Sequence, residues 1–280
     1  MLVFDAWARE GSKELDRVGS NPWLEVGAAL VARDDHPDLD VSGQLARLDA
    51  LAEPLHRRAL HRIPVDEAAA AIAHHLYTIH GFRGNEADYG DPHNSHLNCV
   101  LERKLGIPIT LAVVLLGVAR RVGLQARGVS FPGHFLVRFD RAQGGPLVVD
   151  PFDRGRPLTT DDLERRLRRA AGPEARLQMR HLEPATTRAI LVRVLTNLKT
   201  AHLAKGDAPR ALVAATRVAT LMPRDPSAVR DRGLLQAQLG APEGARADLV
   251  RYLELSPKAS DAQQIRAVLE RLAQQQRTAN

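Results

Sequence analysis

Two residues near the middle of the chain have the types and spacing for proton-transfer chemistry. His134 opens the apolar run HFLVRF, and Asp150 closes the run PLVVD sixteen residues later. If the two runs are strands of one hairpin, an imidazole and a carboxylate stand side by side. Such a pair either acts as a general base on a water or ties two strands together through a charge-assisted hydrogen bond; both readings stand on sequence. Cys99 is the single cysteine. It serves as a nucleophile for His134 only if its segment folds back over the start of the next helix, and otherwise it is a small buried hydrophobe. Thr110 places a hydroxyl in the first turn of that helix, where hydroxyls usually bond locally. His93 and His96 flank Asn94-Ser95, and with His134 and an acid they have the composition of a zinc set. Three-residue spacing outside a helix does not aim two rings at one point, so neither a metal nor a cofactor is expected. Asn94, Ser95, Asn98, Glu102 and Arg103 form a polar set beside the helix start. They either line a pocket or brace the loop through bonds to its backbone, with Glu102 and Arg103 expected as a structural clamp.

These groups have to be positioned by the elements around them. Helical spacing of apolar residues predicts helices over about Pro22–Arg33, Val41–Leu60 and Val65–Ile79. His36-Pro37 interrupts the first, Pro54 is expected to kink or break the second, and Gly81 stops the third. The segment GFRGNEADYGDPHNSHLN, from Gly81 to Asn98, crowds glycine, proline, asparagine and aspartate and is expected to be one long loop. The run from Ile109 to Val118 is apolar nearly all round, the pattern of a central buried helix. Pro108 suits its first turn, Arg120 and Arg121 its carbonyl end, and Gly123 its stop. Three short strands follow, over Ala126–Phe131, His134–Phe139 and Pro146–Asp150, joined by turn sequences. Pro151–Leu158 is expected as a loop, and then a short basic helix capped by Asp161 with Glu164. Phe131, Phe135 and Phe139 are expected in the core, and His74, His75 and His80 in packing or surface roles.

From about Thr186 the pattern is purely helical and repeats. Gly206 and Gly240, Ala211 and Ala245, Leu221 and Leu255, and Pro223 and Pro257 are each 34 residues apart. This period, with a glycine between helices and a terminal proline, resembles the tetratricopeptide repeat over about residues 190–257. The large consensus positions are held by Leu195, Val229, His202 and Gln236, so the repeats are degenerate. A last helix over about Ser260–Gln275 caps the stack.

Composition bounds the rest. The chain has 280 residues, 26% charged and 44% hydrophobic, which suits about two domains. One cysteine excludes a disulfide framework. No apolar run reaches the length of about 18 residues that a membrane span needs. The N-terminal sequence meets acid and base too early for a signal peptide, so a cytoplasmic location is expected. The formal charge is +6, but arginines are interleaved with acids rather than gathered on one face. Only Arg165, Arg166, Arg168 and Arg169 cluster, so nucleic acid is not the expected partner.

A helix followed by three strands, with histidine at the second strand and an acid on the third, resembles the core of papain-like and transglutaminase-like folds. In those folds a cysteine at the helix N-terminus is the nucleophile, its thiolate stabilised by the helix dipole and a neighbouring imidazolium, and the acid fixes the imidazole tautomer. Gly133-His134-Phe135 and Val149-Asp150-Pro151 resemble the histidine and aspartate motifs of transglutaminase-like proteins. On that frame the nucleophile position falls on Pro108, which has no nucleophilic atom. The longer runs Asn94-Ser95, Asn98, Leu101-Glu102-Arg103, Gly106-Ile107-Pro108-Ile109, Phe131-Pro132-Gly133-His134-Phe135 and Asp150-Pro151-Phe152 resemble the SirB-type family, bacterial transglutaminase-like domains often joined to tetratricopeptide repeats. The resemblance covers roughly residues 20–160 and, with the repeats, nearly the whole chain. It implies an α+β, mostly helical fold: a transglutaminase-like (papain-like) core with a small antiparallel sheet over residues 1–182, and an all-α repeat domain over 183–280. The expected function is a non-catalytic or degenerate transglutaminase-like module that binds a protein or peptide through its repeats and its former active-site pocket. The alternative is a hydrolase or acyl transferase that uses His134 and Asp150 with Cys99 or an activated water.

Overall fold

The computed structural model describes residues 4–19 and 21–279, with side chains through Gln275. Two compact units divide between Val194 and Leu195. The division falls inside a helix, and that has a local cause. Helix α9, named below, begins at Thr187, and its first turn is tied to the N-terminal helices. The Thr187 N–H donates to the Arg17 carbonyl at 3.0 Å. Asn21 Nδ2 donates to Thr187 Oγ1 at 2.8 Å, and Arg188 reaches Asp16 at 2.7 Å.

The first unit opens with α1 (Phe4–Glu10), α2 (Ser12–Leu15), α3 (Pro22–Ala32), α4 (Val41–His56) and α5 (Val65–Ala73). Pro54 does not break α4 midway; it lies in the last turn, two residues before the helix ends. The third predicted helix changes character part-way. After α5 the chain widens into π-helical turns over His74–Ile79, and Gly81 then takes a positive φ of 72°. The expected long loop is also more structured than its composition suggests. It holds strand β1 (Arg83–Gly84) and a 3₁₀ turn over Pro92–Ser95, and helix α6 (Leu97–Arg103) begins inside its predicted end. β1 pairs in parallel with β2 (Leu105–Gly106), setting Gly84 beside Gly106.

Helix α7 (Pro108–Arg121) is the central element, buried from Pro108 through Ala119. Proline stands at its first position, as its missing N–H allows. At the other end Arg120 and Arg121 grip the buried Glu25 of α3. Arg120 contributes Nε and Nη2 at 3.0 and 3.1 Å, and Arg121 contributes Nη1 at 2.6 Å. The arginines that suit the helix dipole are thus also the clamp between α7 and α3.

Strands β3 (Ala126–Val129), β4 (Leu136–Phe139), β5 (Leu147–Asp150) and β6 (Arg156–Pro157) form one antiparallel sheet in that order. All three predicted strands are present but shorter, and β6 lies in the segment expected as a loop. Its proline is tolerated because β6 is an edge strand. Phe131, Phe135 and Phe139 are buried, as expected. Helix α8 (Thr160–Ala171) covers part of the sheet, packing Leu163 and Leu167 against Val129, Phe131, Leu136 and Val148. Its cap is Thr159 with Asp162, not Asp161 with Glu164. The Asp162 N–H donates to Thr159 Oγ1 at 3.2 Å and the Thr159 N–H to Asp162 at 3.0 Å.

The second unit is all helical: the latter part of α9 (Thr187–Ala204), then α10 (Ala208–Leu221), α11 (Pro226–Gln238), α12 (Pro242–Leu255) and α13 (Ala262–Ala279). Gly206 and Gly240 have φ of 76° and 73°, the left-handed backbone that requires glycine at the turn inside each repeat. The two 34-spaced alanines, Ala211 and Ala245, are fully buried. Leu249, Tyr252 and Ile265 form an apolar cluster that includes Leu234 and Val268. Arg232 holds Asp248 through two bonds of 2.6 Å.

Candidate functional site

His134 and Asp150 meet. The register of β4 on β5 pairs Val137 with Val149. Its next step sets Asp150 across from Leu136, two residues beyond His134. His134 itself sits in the Pro132-Gly133 turn rather than in the strand, which starts at Leu136. Gly133 has a φ of 69°, the left-handed backbone that this turn takes just before His134. His134 Nε2 lies 2.8 Å from Asp150 Oδ1. An ionised carboxylate only accepts, so Nε2 carries the proton, and Nδ1 is left as the basic nitrogen of the neutral ring. No described residue hydrogen-bonds Nδ1.

Asp150 is 1% exposed and depends on its donors. The Phe152 N–H donates to Oδ1 at 3.0 Å, and Arg166 of α8 donates to Oδ2 at 2.6 Å. Burial raises the carboxyl pKa, but the His134 bond, the charges of His134 and Arg166 and the Phe152 N–H together outweigh it, so the pKa lies below the ordinary value. Tyr77 stands near this carboxylate, and burial followed by the Asp150 charge pushes its phenol pKa up. Its buried hydroxyl has no hydrogen-bond partner among the described residues. Gly155, with a φ of 71°, lies so close to the Tyr77 ring that a Cβ there would sit 2.8 Å from it.

The start of α7 is closed by backbone bonds. The Thr110 hydroxyl donates to the Asn94 carbonyl at 2.6 Å and accepts from the Ile107 N–H at 3.2 Å. Asn94 is fully buried. Its amide donates to the Asp88 carbonyl at 2.7 Å, and its Oδ1 accepts from Asn85 at 3.0 Å. Ser95 and Asn98 are buried nearby in sequence, and Asn98 Oδ1 is unsatisfied among the described residues. The expected Glu102–Arg103 clamp does not form. Glu102 is exposed, and Arg103 reaches back to Asp91 at 2.7 Å.

Cys99 lies in α6 with its sulfur 3.6 Å from His36 Nε2, and no hydrogen bond joins it to His134. Burial foremost raises its thiol pKa, only partly offset by Arg103. His93 is exposed and bonded to Asp91, so His93, His96 and His134 do not assemble as a set. Three of the four clustered arginines face acids: Arg165 pairs with Asp162, Arg166 with Asp150 and Arg168 with Glu164.

A cleft of about 380 Å³ lies against Phe152, lined by Arg83, Asn85, Glu86, Leu105 and Arg154 among others. The Phe152 ring packs edge-on to the His134 ring at 6.3 Å and to Tyr89 at 5.9 Å. It also covers Gly84, where a Cβ would sit 2.5 Å from it. Arg166, Tyr77 and Phe152 escape the sequence reading as members of one site. Arg166 is visible there only as part of a basic cluster and Phe152 only as the end of the Asp150-Pro151-Phe152 motif, and nothing local marks Tyr77.

A central helix, an antiparallel sheet and a His–Asp pair at the strand ends define a transglutaminase-like domain, followed by tetratricopeptide repeats. The family model of the transglutaminase-like superfamily matches residues 44–196, and a tetratricopeptide repeat model matches 198–270. The chain is 43% identical over 251 residues to a UPF0162 protein of Xylella fastidiosa, covering 86% of this chain and 87% of that one. It is 33% identical over 243 residues to a UPF0162 protein of Pseudomonas aeruginosa (86% and 88%). It is 28% identical over 249 residues to protein SirB1 of Salmonella typhimurium (89% and 91%). The chain belongs to the UPF0162/SirB1 family of transglutaminase-like proteins.

Proposed function

We propose that this protein is a non-catalytic, transglutaminase-like interaction module that binds a protein or peptide through its repeats and its former active-site pocket. One observation carries the reading. On the transglutaminase-like frame the nucleophile's place falls on Pro108, the first residue of α7, which has no nucleophilic atom, and the one thiol of the chain is engaged with His36. The neighbouring Thr110 hydroxyl is committed to backbone. Repeats of this kind generally mediate protein–protein contacts. In the second unit a cleft of about 300 Å³ between α11 and α13, lined by Leu234, Ala237, Val268, Arg271 and Leu272, suits an apolar side chain of a partner peptide.

The second reading is a hydrolase in which water is the nucleophile. His134 favours it, because Nε2 is anchored on Asp150 while no described residue bonds Nδ1. The experiment compares the full-length wild type, His134→Ala and Val268→Glu in two measurements. One follows release of ammonia or new amino termini from glutamine-containing peptides and denatured protein. The other follows capture of partners from the lysate of the source cell, identified by mass spectrometry and confirmed with the purified partner. The interaction reading expects no turnover above buffer in any variant, and a partner whose binding Val268→Glu weakens at least tenfold. Turnover that His134→Ala abolishes would establish the hydrolase instead.

A further inference from the structure

The geometry points to a transition-metal site, zinc being the best match, built from His36, His96 and Cys99 at the junction of α3 and α6. One ligand atom from each of the three residues lies within 4.8 Å of the others. His36 stands in the turn after α3, with its N–H on the Ala32 carbonyl at 3.0 Å. His96 is the residue before α6, and Cys99 lies three positions on in its first turn, so helical geometry sets the two on one face. The spacing that promises nothing for His93 and His96 becomes productive for His96 and Cys99 because a helix begins there.

One edge of the set already has the length of a coordination shell. With Zn–N of about 2.0–2.1 Å and Zn–S of about 2.3 Å, a tetrahedral N···S edge is about 3.5 Å. Cys99 Sγ to His36 Nε2 is 3.6 Å. The His36 and His96 rings stand edge-on at 5.4 Å and 86°, so that both rings face the same small volume beside Cys99. Asp35, adjacent in sequence to His36, places Oδ2 3.4 Å from His96 Nε2. A short approach of that carboxylate would give the carboxylate–histidine arrangement which orients a metal-bound imidazole, with Nδ1 toward the ion. Soft thiolate with two imidazoles is a donor set for zinc rather than for magnesium or calcium. His96 and Cys99 are buried, whereas His36 is half-buried. The site therefore has three protein ligands and a fourth position that solvent or a small ligand reaches past His36. An ion there would pin the turn after α3 to α6, next to the Asn94–Thr110 bond that closes the start of α7.

The test uses the full-length chain stripped with a chelator. Zinc is titrated against a chromophoric competitor, and cobalt serves as a spectroscopic probe for a thiolate-to-metal charge-transfer band. The wild type is expected to take one equivalent of either metal and to show the band. Cys99→Ser, nearly isosteric, is expected to lose the band and to bind zinc at least a hundredfold more weakly. His36→Ala is expected to lose stoichiometric binding, and Asp35→Asn to weaken it by about 10–100-fold. His93→Ala, outside the donor set, is expected to bind like the wild type. If the wild type takes up no equivalent, or if Cys99→Ser binds zinc as tightly as the wild type, the site does not exist. Should His36→Ala fail to fold by circular dichroism, Cys99→Ser decides the matter.

Discussion

His134 Nε2 and Asp150 Oδ1 lie 2.8 Å apart, and Arg166 holds the second oxygen of the same carboxylate at 2.6 Å. The carboxylate is therefore shared between the sheet turn and helix α8. It acts as a fastening whatever else it does. Asp150→Asn keeps the size but leaves Arg166 without its ion partner and makes one oxygen a donor. A loss of about 2–3 kcal/mol is expected by urea denaturation. His134→Ala, which leaves Asp150 with Arg166 and the Phe152 N–H, is expected to cost less. If the two variants cost the same, the fastening is not centred on Asp150.

Acid should loosen the loop that leads to α6. Burial raises the Asp91 carboxyl pKa, but hydrogen bonds from His93 and Arg103 and the Arg103 charge overcome it and bring the value to about 2, against an ordinary 3.8. A folded value below the unfolded one stabilises the fold above the unfolded value, and that contribution disappears as pH falls through the folded value. The stability difference between the wild type and Asp91→Asn is expected to be constant above about pH 5 and to shrink as pH falls toward 2. A difference that does not change with pH would show that Asp91 contributes nothing through its charge. Asp150, also lowered, adds a loss in the same direction below pH 3.8.

Thr110→Val is nearly isosteric and removes two bonds at once: the donation to the Asn94 carbonyl and the acceptance from the Ile107 N–H. Both are buried, so unsatisfied backbone groups remain. The expected cost is about 1–3 kcal/mol, with faster amide exchange at Ile107. If Thr110 were instead a nucleophile, the same variant would abolish turnover with little loss of stability.

Gly84→Ala would drive a Cβ to within 2.5 Å of the Phe152 ring, which also meets His134 and Tyr89. Overpacking of this kind costs about 1–3 kcal/mol. Phe152→Ala in the same chain should relieve the clash, so the double variant is expected to be less unstable than the sum of the singles. Strict additivity would mean that the ring does not sit on Gly84.

Glu25→Gln tests the α3–α7 clamp. The buried carboxylate takes bonds from both Arg120 and Arg121. Breaking a buried pair by neutralising one partner costs about 3–5 kcal/mol, and thermal unfolding monitored by circular dichroism reads it directly. Arg120 is partly exposed, so Arg120→Gln is expected to cost less than Glu25→Gln.

The sequence alone determines the central helix, because a run that is apolar on every side between Pro108 and Gly123 has no stable place except inside. It determines the repeats, because a 34-residue recurrence of glycine, alanine and proline reports packing between neighbouring helices rather than distant contacts. It also determines that His134 and Asp150 flank two successive strands, since alternation and turn residues are local signals. The tertiary structure decides what long-range packing alone can decide. Arg166 becomes part of the Asp150 site because α8 folds over the sheet, and no local pattern encodes that crossing. Arg103 takes Asp91 instead of Glu102 because the 3₁₀ turn at Pro92 brings a distant acid closer than the adjacent one. Cys99 finds His36, 63 residues away, because α3 packs on α6. A side chain with several chemically suitable partners is committed to one of them only when the chain closes around it.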